Sequence, residues 1–393
     1  MRLQLRPLPA AGSLAVLALI ALTGEARAES PVVVRGASEV AAYQDTDAVR
    51  VITPSIGASI ENPTAGYKIG GSYLVDVVSA ASVDIVSTAS RRWVEVRHAG
   101  AVDGAYKPKD FGVGASASAS VEPDYVAFAA GGSVQQDLDE KNVNLRAGYT
   151  FGKDTIGRHG TPFDIFSRTF VHHAGNLGAT FVLDSSTLLA LVGDAVFEVG
   201  DQSKPYRYVP TFSSALAPTI PLGASVGFVN QRRNPERLLE QLPTSRQRFA
   251  LTSRLAHRFG TSTLRAEERG YADSWQMVAT TTDVRWLFDL GPRVTIGPHL
   301  RFHGQKVVSF WERAYISNGV SDLPKLRTGD RELGSLWTGT GGGVLEWHIG
   351  RNPEPRAWTL GLHADATWTS FLDDLYISNR LGVLTALTLE TTL

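Results

Sequence analysis

Residues 335–393 show the chain's governing pattern. Trp337, Gly339, Gly341, Gly343, Leu345 and Trp347 share one parity; Thr338, Thr340, Gly342, Val344, Glu346 and His348 share the other. After a turn at Gly350-Arg-Asn-Pro-Glu-Pro355 the alternation resumes. Trp358, Leu360, Leu362, Ala364, Ala366 and Trp368 now oppose Thr359, Gly361, His363, Asp365 and Thr367. Period two predicts strands, because successive side chains leave opposite faces. In each strand two tryptophans, ten residues apart, bracket the apolar face. Ten residues at about 3.3 Å each, tilted by about 40°, climb roughly 25 Å, the height of the apolar band on a membrane barrel. Indole rings favour the two membrane interfaces. Trp337, Trp347, Trp358 and Trp368 are therefore expected to form an aromatic girdle on lipid-facing strands. A soluble β-sandwich also alternates, but gives no reason for tryptophan pairs at membrane spacing.

The same alternation predicts strands near 33–44, 47–61, 66–77, 91–102, 110–121, 124–136, 142–152, 175–183, 187–199, 247–259, 262–274, 277–289, 293–305, 335–349, 356–369 and 381–393. An even number of strands suits a single-chain barrel. Pro298 lacks a ladder donor, so a bulge or a strained spot is expected there. Short turns fall at alternate connections. The others include long segments at 78–90, 153–174, 200–246 and 306–334, as expected for periplasmic turns and extracellular loops. Within 200–246, Asn234-Pro-Glu-Arg-Leu-Leu-Glu-Gln-Leu242 predicts a short helix, with Asn capping and Pro at its first position. It would be a lid, an inward constriction, or packing on the rim. The fold expected is all-β: a closed antiparallel transmembrane β-barrel of about sixteen strands.

Composition changes this picture little. Hydrophobic residues make up 43 %, and no run after residue 30 would make a membrane helix. Residues 1–28 have the form of a secretory signal. Arg2 and Arg6 precede an apolar core at 14–22, and Ala26-Arg-Ala28 fits a cleavage site. Residues 29–393 would then be one barrel domain in the outer membrane of a Gram-negative bacterium, inserted with barrel-assembly machinery. The chain has no cysteine, so disulfides cannot staple it. The formal net charge of −1 excludes a strongly basic nucleic-acid binder.

The order of local motifs resembles the DUF3570 family, bacterial outer-membrane proteins of unknown function. The resemblance is carried by Tyr43-Gln-Asp-Thr-Asp47, the segment from Asp76 to Ser90, Glu122-Pro-Asp-Tyr125 and Pro205-Tyr-Arg207. It continues through Leu242-Pro-Thr-Ser-Arg-Gln-Arg-Phe-Ala250, Tyr271-Ala-Asp-Ser-Trp275, Arg301 with Gln305 and Phe310, and Asp330-Arg-Glu-Leu333. Val83, where proline is expected, and Glu122, in a serine-rich turn, depart from the pattern. The resemblance implies an outer-membrane barrel and no particular activity.

Candidate chemistry lies first in the lumen. Inward parity selects Arg248, Arg254, Arg265, Glu267, Arg269, Asp273, Asp283, Arg285, His299, Arg301, His303, Glu346, His363 and Asp365. Arg265, Glu267 and Arg269 are expected to pair across the ladder with Asp283 and Arg285. Such groups either focus a field on a passing polar solute or satisfy one another as a stiffening plug. A second group, Asp76, Ser79, Ser82, Asp84, Ser87 and Ser90, is expected in an outer loop. There carboxylates and hydroxyls would hold a hard cation or, with more weight, fold the loop through local hydrogen bonds. No metal, cofactor or catalytic residue is assigned. The leading expectation is porin-like passage of small polar solutes. A structural or partner-binding barrel, such as an export-system component, is the alternative. A membrane-embedded serine hydrolase is a lesser one, since no Gly-x-Ser-x-Gly nucleophile elbow is read. The oligomeric state is left open.

Overall fold

The structure is a computed structural model and describes residues 32–80, 93–319, 322–350 and 357–393. Among these, sixteen strands close an antiparallel barrel in chain order. They are β1 (Val33–Asp45), β2 (Val49–Asn62), β3 (Tyr67–Ala80), β4 (Trp93–Tyr106), β5 (Phe111–Glu122), β6 (Tyr125–Leu138), β7 (Val143–Ile156) and β8 (Arg168–Asp184). Then come β9 (Thr187–Gly200), β10 (Ser245–Phe259), β11 (Ser262–Asp273), β12 (Val278–Asp289), β13 (Val294–Gln305), β14 (Leu336–Ile349), β15 (Ala357–Phe371) and β16 (Asn379–Thr392). β1 pairs with β16 from Arg35 opposite Thr392 to Asp45 opposite Gly382, which leaves the sheet no free edge.

Every expected strand is present, with two marked differences in extent. β7 and β8 run on to Ile156 opposite Arg168, so the loop expected at 153–174 shrinks to 157–167. Lys153, Asp154 and Arg168 looked like loop residues, but strand pairing beyond the apolar belt needs no greasy face. Pro298 makes a gap rather than a bulge. Pairing to β12 skips Gly297 and Pro298 and resumes in the same register. The leader at 1–28 lies outside the described residues, as does most of the turn after Gly350.

Alternation gives the wall two chemistries. Leu177, Leu251 and Leu300 face outward at 69 %, 64 % and 67 % exposure. Residues that would fill the core of a soluble protein here cover its exterior, which suits lipid and not water. Trp337 and Trp368 stand at one end of this belt, and Trp347 and Trp358 at the other; Trp358 is only partly exposed. The wall is that of a transmembrane barrel. Glu268 interrupts the apolar face, its carboxylate accepting hydrogen bonds from Thr280 Oγ1 and, at 2.5 Å, Thr282 Oγ1.

The two ends differ. Connections at 63–66, 107–110, 139–142, 185–186, 260–261 and 290–293 are tight. Those at 201–244 and 306–335 are long and pack into a roof over the opposite mouth. In the roof, Thr211–Phe212 pairs in parallel with Tyr315–Ile316, and Tyr208–Val209 pairs antiparallel with Leu238–Leu239. Phe212, Ile220 and Val229 are almost wholly buried against Leu375 from the last connection. A second cluster joins Leu242, Val308 and Trp311 to Trp275 and Met277, which follow β11. The helix expected at Asn234–Leu242 is absent. Asn234 instead donates from Nδ2 to Thr211 Oγ1 at 3.1 Å and Ser317 O at 2.9 Å, and Leu238–Leu239 is extended. The helix actually present, α1 (Val226–Arg232), is capped by Ser225, whose Oγ accepts from Phe228 N at 3.2 Å. Pairing across the roof outweighed a good local capping signal.

Adjacent positions on β5 test the two faces. Ala117→Arg, on the lipid face, should cost about 2–4 kcal/mol near mid-bilayer. Ser118→Arg, facing the lumen, should cost about 0.5 kcal/mol or less. Urea unfolding from lipid vesicles measures both.

Candidate functional site in the barrel lumen

The inward charges of β10 to β15 do not pair as the sequence suggested. On the β11–β12 ladder Arg265 lies opposite Arg285, and Glu267 opposite Asp283, so like charges face one another. The pairs form in other directions. Glu267 turns back to Arg254 at 2.5 Å, and Arg269 reaches Asp194 on β9 at 3.1 Å. Arg248 bonds Glu198 at 2.8 Å. Asp273 sits at the roofed end, taking Arg246 Nε at 2.8 Å and the Tyr271 hydroxyl at 2.8 Å. His303 meets Thr281 Oγ1 at 2.8 Å and Gln305 at 3.2 Å, and Glu346 lies 4.0 Å from His348. Among the described residues Arg265 and Arg301 have no acidic partner within ion-pair distance.

One group of these residues is drawn together. His299 on β13 contacts Asp283 on β12 through Nε2 at 2.9 Å and Asp365 on β15 through Nδ1 at 3.0 Å. His363 Nε2 lies 3.0 Å from the same Asp365, and Arg285 Nε 3.3 Å from Asp283. β14 runs between β13 and β15, and the ladder sets Gly342 between His299 and Asp365. A Cβ on Gly342 would lie 2.0 Å from Asp365 Oδ1 and 2.2 Å from the Ala364 carbonyl. The missing side chain is what lets two strands separated by a third share one side-chain cluster. His299 and Asp365 are buried at 5 % and 8 % exposure, while the His363 side chain keeps 30 % and opens to the lumen.

Elsewhere the lumen is wet. The side chains of Arg254, Arg269 and Arg285 retain 55 %, 39 % and 48 % of their exposure. A packed plug would cover them; pairing and access to water coexist here.

Of the second predicted group only Asp76 and Ser79 lie among the described residues. Asp76 lies on β3, facing inward, where it takes Thr53 Oγ1 at 2.6 Å and Arg97 Nε at 2.7 Å. Ser79 also lies on β3, and Ser82, Asp84, Ser87 and Ser90 fall outside the described residues. Among the described residues an acidic group at the roofed rim joins Glu95, Glu122 and Asp124, with one oxygen from each within 4.8 Å of the others. Contrary to the expectation from sequence, Gly223-Ala-Ser-Val-Gly227 has Gly-x-Ser-x-Gly spacing. Ser225 there is the unstrained cap of α1, at φ −65°, and no histidine bonds it among the described residues.

A family model described as a protein of unknown function (DUF3570) matches residues 33–357. The chain belongs to that family. No curated protein matches it. Among solved structures it is similar to a ferric enterobactin receptor (PfeA) mutant from Pseudomonas aeruginosa. That likeness has 10 % identity, 85 % of this chain, 53 % of the receptor and a TM-score of 0.42. The siderophore receptor PirA from Acinetobacter baumannii gives 9 %, 85 %, 52 % and 0.42. OccK7 (OpdD) from P. aeruginosa gives 9 %, 92 %, 98 % and 0.39. The chain thus spans about half the length of the two receptors.

Several described residues of the motifs that carry the DUF3570 resemblance gather at the roofed end. Asp47, in the β1–β2 turn, pairs with the buried Arg331. Arg207 bridges Glu240 at 3.1 Å and Asp330 at 2.9 Å. Trp275 Nε1 donates to Ser245 O at 2.9 Å. Gln305 Nε2 donates to the carbonyls of Glu332 and Gly334 at 2.7 and 2.8 Å. Burial alone would raise the Asp330 carboxyl. The charge and hydrogen bond of Arg207 and the Glu332 N–H overcome this and hold it below the ordinary aspartate range.

Gly342→Ala should destabilise the barrel by about 1–3 kcal/mol, as overpacking does, and separate His299 from Asp365. Thermal unfolding reads the first effect, and the histidine ring resonances read the second.

Proposed function

We infer that this DUF3570 protein is an outer-membrane channel for small polar solutes, with the roof as its outer gate. The exposed arginines of the mid-lumen carry this reading, because they stand uncovered inside a wall whose outer face is apolar. The leader-like residues 1–28 and the contrast between tight turns and long connections support an outer-membrane site, roof outward. Arg254, Arg265, Arg269, Arg285 and Arg301 set cations along β10 to β13, a row that favours anionic or strongly polar solutes.

The roof decides when the lumen conducts. Its parts touch the rim at well-separated strands. Arg331 reaches the β1–β2 turn, Arg168 of β8 holds Asp201, Trp275 follows β11, and Leu375 follows β15. A cap tied at these points spans the mouth. Its packed core also favours a second reading, a barrel that receives a partner on this cap; deleting residues 201–244 would then abolish that partner's binding.

Purified protein in planar bilayers should show small, resolved conductance steps. Arg207→Ala with Arg331→Ala should raise the open fraction several-fold. A lumen that conducts in neither protein, at any voltage or salt, overturns the channel reading. Acid should act in the same direction as the mutations. A folded-state pKa held below the ordinary aspartate value of about 3.9 stabilises the roof above that pH, and the contribution is lost as pH falls through the folded value. Open probability should therefore rise below about pH 4, and Asp330→Asn should flatten that rise.

A further inference from the structure

We propose that His299, Asp365 and His363 form a binding site for a divalent transition-metal ion on the lumen wall. This does not depend on solute passage; it rests on three donor atoms and their surroundings.

The donors are two imidazole nitrogens and a carboxylate oxygen, all within 4.8 Å of one another. Asp365 lies 3.0 Å from His299 Nδ1 and 3.0 Å from His363 Nε2. Ligands bound tetrahedrally at 2.0–2.1 Å stand about 3.3 Å apart, so the spacing needs little adjustment to receive an ion.

The far side of His299 is arranged as a metal ligand's would be. Its Nε2 contacts Asp283 Oδ2 at 2.9 Å. A carboxylate there accepts a hydrogen bond from Nε2–H, fixes the tautomer and leaves the Nδ1 lone pair free, which is the carboxylate–histidine–metal arrangement. That lone pair points at the Asp365 carboxylate, at 3.0 and 3.1 Å from its two oxygens. With Nε2–H donated to Asp283, the Nδ1 lone pair and an ionised Asp365 would repel each other unless something holds them together. A proton or a metal ion does so. His363 favours the metal, because it brings a further nitrogen to the same oxygen.

Charge and scaffold agree. Asp283 and Asp365 bring two negative charges and Arg285 offsets one, at 3.3 Å from Asp283. The ligands stand on paired strands and not on loops, and Gly342 supplies the space between them. Two nitrogens and one carboxylate suit zinc, cobalt, nickel, copper or iron better than magnesium or calcium. The partial exposure of His363 leaves the remaining coordination positions facing the lumen, open to water or an incoming ligand.

The test uses untagged full-length barrel in detergent micelles, stripped with a chelator. It is titrated with Zn2+ by calorimetry and with Co2+ by visible absorption. The expected result is one Zn2+ per chain, with proton release, and Co2+ bands of four- or five-coordinate intensity. His363→Gln should weaken Zn2+ binding by about 100-fold and Asp283→Asn by about 10-fold or more. His303→Ala, whose ring lies outside the cluster, should leave binding unchanged. Absence of stoichiometric binding by the wild-type barrel overturns the proposal and leaves hydrogen bonding as the link between His299 and its two aspartates. Equal affinity in His363→Gln and the wild type also overturns it. Heat-dependent gel mobility verifies that each variant is folded. Should His363→Gln fail to fold, X-ray absorption of the Zn2+-loaded wild type decides: scattering from two imidazoles supports the site, and its absence rejects it.

Discussion

Lipid offers no hydrogen bonds, and that constraint governs this chain. Every backbone amide and carbonyl within the belt must find its partner inside the wall. A strand sheet meets that demand only by closing, which the pairing of β1 with β16 accomplishes. Closure holds the alternation in place. Shifting a strand by one residue would turn its apolar face into water and its charges into lipid, so register is strongly specified all round. Prolines within the wall are tolerated only as local gaps. At Pro54 and Pro298 pairing with a neighbouring strand lapses and then resumes in register.

Inside that wall the chemistry follows from what the strands can bring together. Opposite positions on neighbouring strands come close automatically. Bringing side chains together across an intervening strand requires the strand between to withdraw, and Gly342 does so for His299 and Asp365. The same logic organises the open mouth. The roof is the part of the molecule with an ordinary buried core, built on Phe212, Val229 and Trp275, and its ion pairs fasten it to rim positions on separated strands. Several motif residues of the DUF3570 resemblance, Asp47, Arg207, Asp330 and Arg331 among them, lie in the roof's ion pairs.

The wall was legible in the sequence because period two is imposed residue by residue. Trp337 to Trp347 and Trp358 to Trp368 mark its height, and the inward parity of the fourteen lumen candidates follows from the same count. Pairing among those residues was not legible. Glu267 and Asp283 face each other across β11 and β12, and only side-chain rotamers reveal that each turns to a different partner. The roof was the least legible part. A capping signal at Asn234 predicted helix, but its side chain is held by Thr211 and Ser317, more than eighty residues away in the second case, contacts that no local pattern encodes. His299, His363 and Asp365 were each identified as inward, yet their convergence depends on the missing side chain of Gly342, which parity alone does not reveal.

The absence of cysteine makes the central claim directly measurable. Single cysteines placed in turn from Ala115 to Ser120 on β5, in protein reconstituted into lipid vesicles, can be probed with a water-soluble thiol reagent. A greasy exterior around a wet interior predicts labelling at Ser116, Ser118 and Ser120 and protection at Ala115, Ala117 and Ala119. Uniform labelling, or protection that follows any period other than two, would contradict it.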